Sequence, residues 1–204
     1  MSQPTPRQRL WDVVFLIILG LGIYVVALNR IAIADWWFFR SYTPNAAIAA
    51  LATDAGLSLN GRQLLYRTDP QLVSRARLDQ SCGRSVIGCI TPEGKVYILQ
   101  DQGGRFHNEI VVTAAHEMLH LAWRRLPDAE RERLAVLLQS EQTRLNDSQL
   151  DQKITQAHDA TEAVDELHSL LGSEYSNLSG ELENYYGTYF TDRTKVTAAY
   201  RLSQ

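Results

Sequence analysis

The sequence has little excess of either charge: 20 Lys and Arg against 23 Asp and Glu leave −3 over 204 residues. A nucleic-acid partner is therefore not expected, because neutralising phosphates takes a strong basic surplus. Only two cysteines are present, too few for a four-thiolate metal site. No internal repeat or low-complexity tract occurs, so solenoids and disordered linkers are set aside. The 45% hydrophobic and 21% charged residues are ordinary for a globular chain and argue against wholesale disorder. The length suits one domain with a proper core and is too short for two large ones.

One long apolar run does exist, at the N-terminus. Val13–Leu28 reads VVFLIILGLGIYVVAL without a charge, and Arg7 and Arg9 precede it. Counted from Leu10 it reaches 19 residues, including Asp12, close to the ~20 a bilayer-crossing helix needs. Trp11 and Trp36-Trp37 flank it where an interfacial aromatic belt would lie. Ala32-Ile33-Ala34 also has the small-residue form of a signal cleavage site, but Asn29, Arg30 and the aromatic cluster Trp36–Phe39 point to an uncleaved anchor. The expectation is a membrane anchor with its interfacial segment over residues 1–40 and a domain over 41–204. A short N-terminal tail usually stays cytoplasmic, which places the C-terminal domain outside the cytoplasm. Arg30 and Arg40 nearly balance the N-terminal charges, so the positive-inside rule adds little. Cys82 and Cys89, with a glycine-rich stretch between them, either close a small disulfide loop in an oxidising compartment or remain reduced, half-buried thiols. Beyond Arg40 the chain carries 16 basic and 21 acidic residues, a mildly acidic balance of −5.

Within 41–204, Thr43-Pro44 reads as a helix start, with the helix stopped at Gly56. Gln63–Arg67 reads as a short strand. Ser85–Ile90 and Lys95–Gln100 read as a hairpin whose turn, Thr91-Pro92-Glu93-Gly94, follows the type I preference. Helices are expected from Asn108, as the cap, to Trp123, and from Pro127 to Leu145. Others are expected at 147–158, 160–171 and 180–200. Few strands followed by many helices indicate an α+β fold.

The chemistry is concentrated in His116-Glu117-Met118-Leu119-His120, an H-E-x-x-H pattern. On a helix, positions i and i+4 share a face, so both imidazoles can bind one ion with Glu117 beside it as general base. Val111, Ala115, Leu119 and Ala122 form a core-facing stripe, and Thr113 lies near the histidines. Zinc suits such ligands and, with three protein donors, keeps a position open for water. The ion lowers the pKa of that water toward ~7, and Glu117 takes its proton. Trp123 and Leu126 stand where a metzincin has glycine and a third histidine, so that class is excluded. The third ligand must come from further along, and Thr161–Glu174 (TEAVDELHSLLGSE) is the richest region.

With these residues the chain resembles the gluzincin type of zinc metallopeptidase, in which HExxH is followed by a glutamate ligand on a downstream helix. Glu166-Leu167-His168-Ser169 matches the family's E-x-x-A stretch with serine for alanine, which makes Glu166 the preferred ligand. Glu162, followed by an acid four residues later, is the second choice, and His168 and Glu174 remain open. The resemblance implies a zincin-like fold, bound Zn²⁺ and a protein or peptide substrate held along a strand edge, either Lys95–Gln100 or Ser85–Ile90. A non-catalytic interaction domain with a structural metal and a hydrolase of other amides are the competing readings. Tyr185, Tyr186 and Tyr189 are candidate oxyanion donors but fit an aromatic core stripe better. His107 and His158 lack partners at metal spacing, Arg131–Arg133 reads as a solvated helix face, and Asp192-Arg193 reads as half of a structural ion pair.

Overall fold

The computed structural model describes residues 6–84, 86–91, 94–101 and 103–204, and it divides into two compact units, Met1–Thr43 and Pro44–Gln204. The first unit holds helix α1 (Pro6–Leu28) and helix α2 (Arg30–Phe39). They break at Asn29, whose backbone leaves the helical region (φ −104°, ψ 13°) and whose side-chain amide donates to the Val25 carbonyl at 2.8 Å. Among the described residues no single helix is long and apolar enough to cross a membrane. Val14–Leu28 and Arg30–Phe39, bent by 67°, meet that requirement together by length and composition. Phe15, Leu16, Ile18, Ile23, Trp36 and Trp37 are all exposed, and the Arg40 guanidinium lies 5.1 Å from the Trp36 ring.

The second unit is mostly helical with a small sheet, an α+β arrangement. Helix α3 (Ala46–Asp54) is capped by Asn45, which accepts from the Ala47 amide, two residues beyond the expected Thr43. Helix α4 (Leu59–Arg67) replaces the strand expected at Gln63–Arg67. Ser58 caps it by accepting from the Gly61 amide, and its buried positions Gly61, Leu64 and Leu65 follow i, i+3, i+4 spacing. A five-residue window showed only the apolar pair and could not separate the two periods. Strand β1 (Gln71–Val73) and helix α5 (Arg75–Cys82) come next and have no counterpart in the sequence reading.

Strands β2 (Gly88–Ile90) and β3 (Val96–Leu99) form the expected antiparallel hairpin. The Gly94 amide donates to the Thr91 carbonyl at 2.8 Å across the turn; Pro92, Glu93 and Ser85 lie outside the described residues. β1 joins the other side of β3 in parallel, giving the order β1-β3-β2. β3 is thus paired on both sides and cannot serve as a substrate edge, whereas β2 is an edge strand. Cys82 and Cys89 are joined as a disulfide that ties the end of α5 to β2 (Cα–Cα 5.8 Å).

Helix α6 (His107–Arg125) is the core element. Ile110, Val111, Ala114, Ala115, Met118, Leu119, Ala122 and Trp123 are buried along it, a stripe wide enough for packing on several sides. Helices α7 (Asp128–Leu145), α8 (Ser148–Ile154) and α9 (Ala160–Glu174) follow. α9 packs closely on α6, and Gly172 permits the approach: a Cβ there would lie 2.5 Å from Leu119 Cδ1 and 2.6 Å from Tyr186 Cε1. The helix expected at 180–200 is two, α10 (Gly180–Tyr186) and α11 (Thr194–Ser203). The chain between them turns back so that Phe190 bridges to Leu57 and the Thr191 amide donates to the Gly56 carbonyl at 2.8 Å. Those tertiary bonds outcompete the local helical pattern.

Candidate metal centre

The site is assembled from two helices. α6 presents His116 and His120 one turn apart, and α9 brings Glu166 against them. His116 Nε2 and His120 Nε2 lie 3.0 Å apart, and Glu166 Oε2 stands 3.6 Å from the first and 3.5 Å from the second. These three donors form a group that could hold a metal ion. Of the four candidates for a third ligand, only Glu166 joins the histidines.

The other three are engaged elsewhere. Glu162, one turn earlier and half exposed, accepts from the backbone amide of His158 at 2.7 Å and meets its ring Nδ1 at 2.9 Å. Glu174 pairs with Lys153 at 2.6 Å. His168 is fully buried on the other side of α9, with its ring against Trp123 and Tyr186. Its Nε2 bonds the Tyr185 hydroxyl at 2.9 Å, and its Nδ1 has no partner among the described residues. Burial, together with the nearby His120 and His116, pushes the His168 pKa down to about 3, so the ring is neutral.

The electrostatics favour a cation between the donors. Burial alone would lower the pKa of His120, but its hydrogen bonds to Asp165 and Glu166 and the charge of Glu117 raise it to about 10. Burial would likewise raise that of Glu166, yet the two imidazoles hold it well below the usual carboxylate range. The same negative neighbours attract any cation placed between the donors, and a metal ion would have to displace the His120 proton to bind.

Glu117 is 7% exposed and makes no hydrogen bond or ion pair with another described residue. Its charge is felt at His120. Thr113, one turn before His116, meets the back of β2: a Cβ on Gly88 would lie 2.6 Å from Thr113 Cγ2. The β2 edge is thereby seated on the helix that carries the donors.

Asp165 is a neighbour of His120 that the sequence does not single out. Its Oδ1 is 2.8 Å from His120 Nδ1, and Ser169 Oγ is 3.2 Å from the same nitrogen. The i, i+4 relation of Asp165 and Ser169 was legible, but which histidine they would meet depends on how α9 crosses α6. The three tyrosines are structural. Tyr186 is fully buried and donates to the His168 carbonyl at 2.8 Å, and Tyr185 joins His168 to the Tyr189 hydroxyl, 3.5 Å away. His107 pairs with Asp54 at 3.3 Å. Arg131 and Arg133 pair with Asp128, Glu130 and Glu181 on the surface. Arg193 finds its partner in Glu183, not in Asp192.

No protein-family model, curated protein or solved structure matches this chain.

Proposed function

We propose that this protein is a membrane-anchored, zinc-dependent metalloendopeptidase of the gluzincin type, with His116, His120 and Glu166 as zinc ligands and Glu117 as the general base. The observation that carries the proposal is the closure of the donor triangle by a glutamate 46 residues beyond His120, beside Glu117, which makes no hydrogen bond or ion pair with another described residue. Zinc fits the spacing. A tetrahedral ion with bonds of about 2.0–2.1 Å needs ligand atoms about 3.3 Å apart, and the three separations are 3.0, 3.5 and 3.6 Å. Two imidazoles and one carboxylate also suit zinc better than the oxygen-seeking magnesium or calcium.

Zinc in this position supplies Lewis acidity, lowering the pKa of a water toward ~7 and polarising a substrate carbonyl. The chain's own groups perform the proton transfers. Glu117 takes a proton from the attacking water and passes it to the leaving amide nitrogen. The free edge of β2 is the place for an extended peptide to pair beside the site. The order of hairpin, HExxH helix and glutamate helix supports a zincin-like assignment.

The bent pair α1–α2, with its uncovered apolar side chains and interfacial tryptophans, supports single-pass anchoring. The Cys82–Cys89 disulfide supports an extracytoplasmic location for the C-terminal unit, since such bonds persist in oxidising compartments. The test is metal content and proteolysis by the full-length protein in detergent. The parent should carry one zinc per chain and cleave an unstructured protein substrate. Glu117→Gln should keep the zinc and lose at least 100-fold in kcat. A Glu117→Gln variant as active as the parent would eliminate this mechanism.

A further inference from the structure

Asp165 stands next to Glu166 in sequence but does something different from it. Consecutive residues on a helix point about 100° apart, so α9 reaches the histidine pair with two carboxylates from two directions. Glu166 faces the Nε2 atoms of both histidines at 3.5 and 3.6 Å. Asp165 passes behind and meets His120 on its other nitrogen, Nδ1, at 2.8 Å. Ser169, one turn along the same face of α9, approaches that nitrogen at 3.2 Å. The second oxygen of Asp165 lies 3.7 Å from Arg124 Nε, and Arg124 is itself one turn beyond His120 on α6. The side chains of His120 and Asp165 are 12% and 13% exposed, against 48% for Arg124. The contact that matters is therefore shielded from water, and the guanidinium closes over it.

His116 has no equivalent. Its contacts among the described residues are the edge-on ring of His120 and the Glu166 carboxylate, and nothing bonds its Nδ1. The two histidines are thus held unequally. The acid that reaches His120 comes immediately before Glu166 in the chain.

We propose that Asp165 is the positioning residue of the metal centre. It fixes His120 in the tautomer that carries hydrogen on Nδ1 and presents an unprotonated Nε2 to the ion, making His120 the anchoring ligand. A carboxylate accepting from the remote N–H of a ligating imidazole locks the ring and increases its basicity. Ser169 approaches the same nitrogen, and Arg124, beside the second oxygen of Asp165, keeps that side chain turned toward the histidine. This inference rests on the metal-centre reading above.

The experiment measures zinc affinity of the full-length protein in detergent by competition with a chromophoric chelator, together with thermal unfolding of the metal-free protein and the visible spectrum of the cobalt-substituted form. Asp165→Ala should weaken zinc binding about 10- to 100-fold and alter the cobalt spectrum. Asp165→Asn keeps an acceptor for the Nδ1 hydrogen and should recover part of the affinity, while Arg124→Ala should cost less than Asp165→Ala. A purely structural role would lower the unfolding temperature of the metal-free Asp165→Ala protein and leave the affinity of the folded fraction within twofold of the parent, which overturns the proposal. His120→Ala separates the two readings. If it abolishes tight binding while Asp165→Ala does not, the positioning role fails alone. A parent that binds no zinc overturns both.

Discussion

Gly172→Ala is the substitution that joins the packing of this fold most directly to its chemistry. Position 172 is in the last turns of α9 and faces α6, where an added Cβ would sit 2.5 Å from Leu119 Cδ1 and 2.6 Å from Tyr186 Cε1. Carbon atoms in contact prefer about 3.5–4.0 Å, so something must move by roughly 1 Å. Leu119 and Tyr186 are both fully buried, and the tyrosine is pinned by its hydrogen bond to the His168 carbonyl. Neither can swing into solvent. Overpacking of this kind costs about 1–3 kcal/mol, and replacing glycine by alanine inside a helix returns about 1 kcal/mol. The net expectation is a loss of about 0–2 kcal/mol rather than the gain seen at an exposed helical glycine. The relief route is a separation of α9 from α6, and those helices carry Glu166 and the two histidines. Zinc affinity should therefore fall as well, by about tenfold, or about 1.4 kcal/mol. Urea unfolding of the metal-free protein and chelator competition would measure the two effects. A variant more stable than the parent by about 1 kcal/mol, with unchanged zinc affinity, would refute the claim that Gly172 sets the helix spacing at the site.

Other consequences can be checked separately. Glu141 is 3% exposed and is held below the usual carboxylate range by Arg144 and the Ser179 amide. A group whose folded pKa is depressed adds stability above its unfolded value, near 4.5, and loses it as pH falls through the folded pKa. Acid unfolding of Glu141→Gln should accordingly depend less on pH below about 4.5 than that of the parent. Arg193 pairs with Glu183 and donates to the carbonyls of Leu171, Gly172 and Tyr175 at the end of α9. Arg193→Met should cost roughly 3 kcal/mol by leaving these groups unpaired, read as a lower urea midpoint. Reducing the Cys82–Cys89 bond frees only a short loop, so the entropic loss should be about 2 kcal/mol, seen as a lower melting temperature in reductant. An equal melting temperature with and without reductant would mean that β2 is held without the bond.

How much was legible depended on how local the signal was. Asn108–Trp123 and Pro127–Leu145 were read almost to their ends because long 3.6-residue patterns survive errors at single positions. The β2–β3 hairpin was legible from its turn residues. Gln63–Arg67 was misread because its helical spacing begins at Gly61, outside the window. β1 was missed because three residues carry no period; it exists as a strand by pairing with β3. The split at residues 187–193 follows from bonds to Gly56, more than 130 residues away in sequence.

The candidate metal centre divides along the same line. That His116 and His120 stand together was legible in the sequence alone, since one helical turn guarantees that i and i+4 share a face. The other half was not local. Glu162, Glu166, His168 and Glu174 all lie on one helix, and composition ranks them without separating them. The crossing of α9 over α6, made close by Gly172, points Glu166 at both histidines, sends His168 into the core and places Asp165 behind His120. A helix surface offers different residues every 100°, and only packing against a partner decides which of them face the site.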